Sequence, residues 1–220
     1  MKVLAIGDTH APYSHPSALD FLSDLKRRFK PDVVVHIGDL GDQYGWSRHD
    51  PCPDAMSGGA EVEACLGWCK KLYKLFPKVK ACIGNHDDRL AKAAIRARIP
   101  SRLCKSIAET YESPKAWDWQ HGHIVDGIAY THGEGFSGPD AAIRAARILC
   151  RSCVIGHTHS VGGVRWATSM LSTVFGCSTG CLVDRESYGL AYAKRYALKP
   201  VLGSAVVLDG IPQFVPMVQS

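Results

Sequence analysis

Residues 3–10 have the sequence VLAIGDTH, a short apolar run that ends in Gly-Asp. Val33–Ile37 ends at Gly38-Asp39 in the same way, and Val79–Ile83 is followed by Gly84-Asn85. Short apolar runs rich in β-branched side chains are typical of buried strands. Each run is therefore predicted to be a strand that stops where polar side chains begin.

Two amphipathic segments lie between these runs. Ser17–Phe29 and Glu61–Phe76 carry apolar residues at the three- and four-residue spacing of a helix face. Alternating strands and helices favour βαβ units, whose strands pair in parallel. The first part of the chain is therefore expected to form a largely parallel sheet.

After Pro114 the pattern changes to short apolar runs separated by glycine, with one helical segment at Pro139–Leu149. Because closely spaced strands tend to pair with one another, a second sheet, mixed or antiparallel, is expected to pack on the first. No linker or repeat is visible, so residues 1–220 are expected to form one domain, with loop 42–60 as a possible rim of the active site. The strands of this part are predicted near 123–131, 152–155, 161–167, 171–176, 189–198 and 201–208.

The composition and the length of the apolar runs exclude several classes of protein. The chain has 220 residues, of which 46% are hydrophobic and 21% charged, as expected of a globular protein. The first residues lack the apolar region of a signal peptide, and no run approaches the ~20 residues of a membrane span. A cytoplasmic protein without a membrane partner is therefore expected. Its net charge of +5 is too small to establish a nucleic-acid partner.

The nine cysteines allow two interpretations. In a reducing compartment they are not expected to form a disulfide framework, and their odd number leaves one unpaired. The pairs Cys150/Cys153 and Cys177/Cys181 have spacings that a zinc site could use. The alternative is that they are small buried side chains, which is the commoner role of free cysteine.

The predicted strand ends share one chemistry, because five of them place Asp, Asn or His next to glycine or at the close of the run. Any one of these motifs has a plain alternative as a helix cap or a turn. Ligands of α/β sheets, however, gather at the carboxyl ends of strands, so five motifs in the same position indicate a common site. The motifs are Asp8-Thr9-His10, Gly38-Asp39, Gly84-Asn85-His86-Asp87, Thr131-His132-Gly133 and Gly156-His157-Thr158-His159.

The donor types in these motifs predict metal ions. Carboxylate, amide and imidazole donors together suit Mn²⁺, Fe or Zn²⁺ in a site that keeps water ligands. Seven candidate ligands exceed the four that a structural zinc ion takes. A two-metal centre is therefore predicted, and such centres stabilise displacement at phosphorus.

In this order and combination the five motifs resemble those of the calcineurin-like metallophosphoesterases, over residues 8–159 of the chain. The resemblance implies an α/β (mixed α+β) fold, a four-layer αββα sandwich of two mixed sheets flanked by helices, with the metal centre at the strand ends. It also implies a hydrolase that uses two divalent metal ions, preferably Mn, with Fe, Zn or Ni as alternatives. In that family a metal-bound hydroxide attacks the phosphate ester.

The resemblance further implies roles for individual residues. Asp8, His10 and His159 would hold one metal ion, and Asn85, His132 and His157 would hold the other. Asp39 would bridge the two ions. His86 would contact the phosphate and protonate the leaving oxygen, and the catalytic set is therefore His86, Asp39 and Asn85. Asp87 is expected either to orient His86, as another carboxylate could, or to cap a helix that begins near Asp88.

Departures from the family pattern bear on the substrate. The Ser/Thr protein phosphatases carry an arginine in Gly-Asp-x-x-Asp-Arg-Gly, where this chain has Gln43, so phosphoproteins are the least favoured substrate. Gly176–Leu182 resembles a segment of small phage and bacterial phosphoesterases described as DNA-repair-exonuclease-like. Phosphodiesters of nucleic acids (DNA or RNA) or nucleotides are therefore preferred, with small phosphomonoesters as the alternative. A catalytically silent nucleic-acid-binding or scaffold subunit is the alternative from another class, and the oligomeric state stays open.

Several basic and aromatic residues are candidate substrate contacts. Arg89 could bind a substrate phosphate with its guanidinium fork or be a solvated helix residue. An aromatic and basic rim on which a base stacks could include Trp46, Arg48 and His49, with Trp117, Trp119, His121 and His123, unless these residues pack under loops or face solvent. Basic clusters are expected to be solvated faces unless they lie on the side of the metal centre. They comprise Lys70, Lys71, Lys74, Lys78 and Lys80 in one segment and Arg96, Arg98 and Arg102 in another.

Overall fold

The computed structural model describes residues 1–47, 52–187 and 197–218. Within these ranges the chain forms eleven strands, five α-helices and two short 3-10 helices. In chain order they are β1 (Lys2–Ile6), α1 (Ala18–Phe29), β2 (Val33–His36), a 3-10 helix (Tyr44–Trp46), α2 (Gly58–Leu75), β3 (Val79–Cys82), α3 (Arg89–Arg96), a 3-10 helix (Ser101–Leu103), α4 (Ile107–Thr110), β4 (Trp117–Gln120), β5 (Gly122–Val125), β6 (Ile128–Thr131), α5 (Ala141–Ile148), β7 (Cys153–Ile155), β8 (Gly162–Thr168), β9 (Thr173–Thr179), β10 (Gly203–Leu208) and β11 (Ile211–Pro216).

The strands form two mixed sheets. The six-stranded sheet has the order β11-β10-β1-β2-β3-β4, in which β1 to β4 are parallel and β10 and β11 are antiparallel additions. The five-stranded sheet has the order β5-β6-β7-β9-β8, with β6, β7 and β9 parallel and the edge strands antiparallel. The carboxyl ends of both parallel sets carry the predicted polar motifs.

Three apolar cores separate four layers. Successive residues of β1 point to opposite faces, so Leu4 packs toward α1 and α2 while Val3 packs between the two sheets. The third core joins the second sheet to α5 and includes Ile155. This arrangement confirms the predicted four-layer αββα sandwich. None of the helices in the described ranges has the length and apolar content needed to span a bilayer.

The segment that follows β2 is held by α2. Glu61, in the first turn of α2, is buried and accepts hydrogen bonds from the backbone N–H groups of Tyr44 (2.7 Å) and Gly45 (2.9 Å). The predicted loop 42–60 thus contains a 3-10 helix, and α2 begins at Gly58, earlier than expected. Residues 48–51 of this loop lie outside the described part of the chain.

The structure differs from the predicted strands in three places. The single run at 123–131 is a hairpin, because Asp126 and Gly127 both adopt positive φ (52° and 75°) and reverse the chain between β5 and β6. The sequence pattern does not predict β4 or β11, since β4 has only four residues and β11 contains prolines, which are tolerated at a sheet edge. The strand predicted at 189–198 falls almost wholly outside the described residues.

Candidate metal centre

The predicted site residues converge at one edge of the sandwich. Asp8, Asp39 and Asn85 follow β1, β2 and β3 of the first sheet, while His132 follows β6 and His157 follows β7 of the second. Because the parallel strands of each sheet end at this edge, side chains far apart in sequence become neighbours. Asp8, His10, Asp39 and His132 are almost wholly buried there.

The first donor group is formed by Asp8, His10, Asp39 and His159, whose ligand atoms all lie within 4.8 Å of one another. His159 Nε2 is 3.0 Å from Asp8 Oδ2 and 3.1 Å from His10 Nε2. His10 Nδ1 is 2.6 Å from a carboxylate oxygen of Asp42, which only accepts, so Nδ1 carries the hydrogen. In the neutral imidazole the Nε2 lone pair of His10 therefore points into the group.

The second donor group surrounds His132. Its Nε2 lies 2.8 Å from Asn85 Oδ1 and 3.1 Å from His157 Nδ1. Its Nδ1 is 3.3 Å from the carbonyl oxygen of Ile37, which accepts the hydrogen and, in the neutral imidazole, leaves the lone pair on Nε2. An outer hydrogen bond that fixes the imidazole in this way is the usual support of a histidine that binds metal.

Asp39 lies between the two groups. Its Oδ2 is 3.5 Å from His10 Nε2 and 3.3 Å from His132 Nε2, so one oxygen faces both histidines. Its other oxygen, Oδ1, accepts a hydrogen bond of 2.8 Å from the backbone N–H of His86. The carboxylate is thus fixed in the orientation that a bridging ligand needs.

The chemistry of these groups fits divalent cations. Asp8 Oδ1 is buried and has no hydrogen-bond partner among the described residues, a costly state that a cation relieves. Burial lowers the pKa of His132, but the charges of Asp39 and Asp8 outweigh this and raise it to about 10. The cluster therefore attracts positive charge strongly, and its converging lone pairs suit metal ions better than a single proton.

Asp42 is a site residue that the sequence analysis did not single out. Its Oδ1 lies 2.6 Å from His10 Nδ1 and 3.2 Å from His86 Nδ1, so one carboxylate serves both imidazoles. Burial works against its charge, but the hydrogen bonds from His10 and His86 hold its pKa well below the usual range. Its position three residues after Asp39 in Gly38-Asp39-Leu40-Gly41-Asp42 was the signal that could have identified it.

His86 lies beside the donor groups. Its Nδ1 is 2.8 Å from the backbone oxygen of Asp42, and its Nε2 is 4.0 Å from Asp39 Oδ2. Burial lowers the pKa of His86, but the charges of Asp39 and Asp42 raise it above the ordinary histidine value. Arg89 donates a hydrogen bond of 2.9 Å to His86 Nε2 and a second one to the Asp42 carbonyl. Arg89 is therefore attached to the site and is not a solvated helix residue.

Asp87 links the segment after β2 to the segment after β3, and both segments contain donors of the site. Its carboxylate accepts hydrogen bonds from the backbone N–H groups of Asp39 (2.8 Å), Leu40 (3.0 Å) and Gly84 (2.8 Å) and from the hydroxyl of Tyr111 (2.9 Å). Burial and the charge of Asp39 raise its pKa to about 7, while the Gly84 and Tyr111 bonds act in the opposite direction. Both expectations for Asp87 are wrong: it makes no bond to His86, and it does not cap the helix that begins at Arg89.

The backbone around the centre is tightly constrained. His10, Asp39 and His157 all have positive φ (47°, 51° and 63°), a strained state that concentrates at functional sites. Glycine is required at two positions beside the donor groups. A Cβ on Gly84 would lie 2.1 Å from Asp39 Oδ1, and one on Gly156 would lie 2.0 Å from Asp8 Oδ1. These clashes explain why glycine precedes Asn85 and His157.

Most of the predicted aromatic and basic rim does not form. Trp117 is buried and donates its indole N–H to the Phe76 carbonyl. Trp119 stacks on Tyr111, with their ring centroids 5.8 Å apart. His123 is also buried and contacts the Ala81 carbonyl. Trp46 is half-buried against the first turn of α2, so its role as a substrate contact stays a prediction. The other rim candidates differ in placement: His121 is exposed, whereas Arg48 and His49 lie outside the described residues.

The lysine cluster lies away from the centre. Lys78 and Lys80 line a groove with Lys26 and Lys30 at the amino ends of β2 and β3, whereas the donor groups follow the carboxyl ends. Lys80 is 3.7 Å from Asp118. The cluster is therefore not on the side of the metal centre, in agreement with the expectation of a solvated face.

The cysteines take no part in the centre. All nine are unpaired, Cys153, Cys177 and Cys181 are buried, and Cys150 is exposed. Among the described residues neither of the two donor groups contains a cysteine. Burial raises the pKa of Cys153, Cys177 and Cys181 to about 12, so these thiols stay protonated and behave as small core side chains.

Comparison with solved structures finds similar proteins at low sequence identity. YfcE, a phosphoesterase from E. coli, is 17% identical over 95% of this chain and 89% of its own, with a TM-score of 0.49. A metallophosphoesterase from Sphaerobacter thermophilus is 16% identical over 99% and 88% of the two chains, with a TM-score of 0.46. Vacuolar Protein Sorting 29 from Cryptosporidium parvum is 17% identical over 97% and 95%, with a TM-score of 0.46.

Sequence comparison gives a clearer result for the family than for any individual protein. No protein of curated function matches the chain significantly. A sequence model of the calcineurin-like phosphoesterases matches residues 1–161, which include all five strand-end motifs. The resemblance inferred from those motifs is thereby confirmed, and the chain belongs to the calcineurin-like phosphoesterase family.

Proposed function

We propose that this protein is a hydrolase of phosphodiesters with a dinuclear metal centre. The observation that carries the proposal is the pair of donor groups that meet at Asp39 Oδ2. One ion would be held by Asp8, His10 and His159, the other by Asn85, His132 and His157, with Asp39 shared. A catalytically silent scaffold is expected to have lost some of these donors, and all seven are present in this chain.

The ions would supply the chemistry that the side chains alone lack. When bound, two divalent ions neutralise phosphate charge and lower the pKa of water. Mixed nitrogen and oxygen donors suit Mn²⁺ first, with Fe²⁺, Zn²⁺ and Ni²⁺ as alternatives. The chain's own contribution is to fix the donors, since Asp42 and the Ile37 carbonyl hold the outer nitrogens of His10 and His132.

His86 is proposed as the general acid, with Arg89 as its partner. The hydrogen bond from His86 Nδ1 to the Asp42 carbonyl fixes the ring and leaves Nε2 as the atom that exchanges a proton with the leaving oxygen. In the structure the guanidinium of Arg89 donates a hydrogen bond to Nε2. A bound phosphate would draw Arg89 away as a bidentate ligand and so free Nε2 for protonation.

The preference for diesters rests on how few cationic side chains face the centre. Gln43 replaces the arginine of the protein phosphatases, and its amide is buried in bonds to the Asp87 carbonyl, the Tyr111 hydroxyl and the Leu90 N–H. Arg89 is then the one arginine bonded to the centre among the described residues. A diester carries a single negative charge and needs less compensation than a monoester dianion.

An activity panel tests the proposal. Turnover of bis-p-nitrophenyl phosphate and p-nitrophenyl phosphate would be measured with Mn²⁺, Fe²⁺, Zn²⁺, Ni²⁺ or Mg²⁺, beside the Asp39→Asn and His86→Ala variants. We expect metal-dependent turnover that favours the diester, near-complete loss in Asp39→Asn, and a loss of roughly 10²–10⁴-fold in kcat for His86→Ala with both ions retained. A preference for the monoester, or full activity of Asp39→Asn, would contradict the proposal.

A further inference from the structure

The positive charge of this protein is concentrated in one segment. Residues 89–108 contain six of the 26 Lys and Arg residues and none of the 21 Asp and Glu residues. The remaining 200 residues therefore carry 20 cationic and 21 acidic side chains. The whole excess of +5 thus comes from this segment, which we call the basic arm.

The basic arm begins beside His86, the proposed general acid. Its first residue, Arg89, binds His86 Nε2, and the backbone N–H of the next residue, Leu90, donates to Gln43 Oε1 at 2.8 Å. In α3, Arg89, Lys92 and Arg96 have the i, i+3, i+7 spacing of one helix face. At 1.5 Å per residue this row of cations extends about 10 Å from the site.

The cations beyond the first turn are available to a ligand. Arg96, Arg98 and Arg102 are exposed and form no ion pair with any residue that the structure describes. Lys92 forms ion pairs with two carboxylates: its Nζ lies 3.8 Å from Asp88 Oδ2 and 3.7 Å from Glu134 Oε1. No residue of α3 is fully buried: Lys92, Ile95 and Arg96 are exposed, whereas its other face, with Leu90, Ala93 and Ala94, is half-buried.

We infer that the basic arm binds the phosphate backbone of a nucleic-acid strand whose scissile phosphodiester lies at the metal centre. This inference rests on the proposed function, because it extends the diester site to a polymer. Phosphates of one DNA strand are spaced about 3.4 Å apart along the helix axis, so a row of about 10 Å covers roughly three of them. Ile95 and Leu103, 72% and 70% exposed, are next to Arg96 and Arg102 in the sequence and offer apolar contact to sugars and unstacked bases.

The composition of α3 favours nucleic acid over an anionic membrane. A helix that lies in a membrane needs a broad face of large apolar side chains. The face of α3 opposite its cations contains Ala91 and Ala94, which bury little area in a bilayer. Its large apolar residues are Leu90, held near Gln43, and Ile95.

Charge reversal in the arm, matched by the same reversal elsewhere, tests the inference. The arm variant is Arg96→Glu/Arg98→Glu/Arg102→Glu. The control is Lys71→Glu/Lys74→Glu/Lys78→Glu, which makes the same change in net charge at exposed positions in α2 and just before β3. Each protein is assayed with Mn²⁺ on bis-p-nitrophenyl phosphate and on labelled single- and double-stranded oligonucleotides. Binding to the oligonucleotides is measured by fluorescence anisotropy over a salt series, and binding to phosphatidylserine vesicles by co-sedimentation.

The arm variant is expected to lose at least tenfold in oligonucleotide affinity, and its ratio of oligonucleotide to small-diester kcat/KM is expected to fall by a similar factor. The slope of log affinity against log salt should shrink by about 2, because up to three phosphate contacts are lost. The control should keep the wild-type ratio and slope. Equal losses in both variants, unchanged oligonucleotide binding by the arm variant, or loss only of binding to phosphatidylserine vesicles would overturn the inference.

The two proposals fail in different ways. If the wild-type protein hydrolyses the small diester but the two variants bind and cleave oligonucleotides equally well, the basic arm does not bind nucleic acid. The proposal that the protein is a phosphodiesterase is then unaffected. If the wild-type protein hydrolyses no phosphodiester with any of the metals, the proposed function fails, and the inference that depends on it fails as well.

Discussion

Asp42 shows how a single residue can prepare two others. Its carboxylate holds the Nδ1 hydrogen of His10, which turns the His10 lone pair toward the metal site, and it lies 3.2 Å from Nδ1 of the proposed acid His86. Replacing this carboxylate with the neutral amide of asparagine would remove the charge that both imidazoles face. Ligand orientation and acid strength would then change together.

We therefore predict that Asp42→Asn retains its fold and lowers kcat for the diester by about 10–100-fold, the usual effect of losing such an outer partner. Steady-state kinetics and metal content would be measured on the same sample. Metal affinity should weaken by a comparable factor, because His10 is no longer fixed. Full activity with unchanged metal affinity would show that Asp42 does not position these residues.

The positions of the proposed metal donors could be predicted from sequence, whereas their supporting residues could not. Asp8, Asp39, Asn85, His132 and His157 each follow an apolar run, and the ends of parallel strands necessarily meet at one edge. Asp87, by contrast, is defined by four donors from three segments of the chain. Hydrogen bonds between loops depend on how those loops fold over one another, and no periodic pattern records them.

At the level of elements, the connections that follow the strands leave less room for a larger side chain than the helices do. Gly84 lies where a Cβ would approach Asp39 Oδ1 to 2.1 Å, while a Cβ on Gly67, exposed in the middle of α2, would meet nothing within 4 Å. The same substitution should therefore have opposite effects at these two positions. Glycine is needed at the first for space and is merely unfavourable at the second.

Gly67→Ala is predicted to raise the free energy of unfolding by about 1 kcal/mol, because alanine is the better helix former. Gly84→Ala is predicted to lower it by about 1–3 kcal/mol, the usual effect of overpacking, and to weaken metal binding by displacing Asp39. Urea unfolding of the metal-free proteins and a metal titration measure the two effects. Equal changes at both positions would mean that the close approach of Gly84 to Asp39 is not important.

Prediction at this level succeeded where apolar runs were long and failed where elements were short. Helices α1, α2 and α5 lie within a few residues of their predicted bounds, because each has a clear apolar face. Strand β4 has four residues and alternates tryptophan with polar side chains, and β11 contains Pro212 and Pro216. Both strands are stabilised by pairing with a neighbour, and a short stretch of sequence does not show which neighbour is present.

At the level of the whole molecule, the sandwich brings donors from both sheets to each of the two proposed metal positions. The first sheet supplies Asp8, His10, Asp39 and Asn85, and the second supplies His132, His157 and His159. The core between the sheets, with Tyr130 and Phe175 buried in it, fixes the separation of the two sets of donors. Two ions bound there would join the sheets at one edge, and Asp39 would be the residue common to both.

The stoichiometry of metal binding tests this dinuclear arrangement most directly. Protein reconstituted with Mn²⁺ and freed of excess metal would be measured by inductively coupled plasma mass spectrometry, with His132→Ala and the exposed His121→Ala as its matched control. We predict two ions per chain in the wild-type protein and in His121→Ala, and one in His132→Ala. One ion or none in the wild-type protein, or two in His132→Ala, would contradict the account.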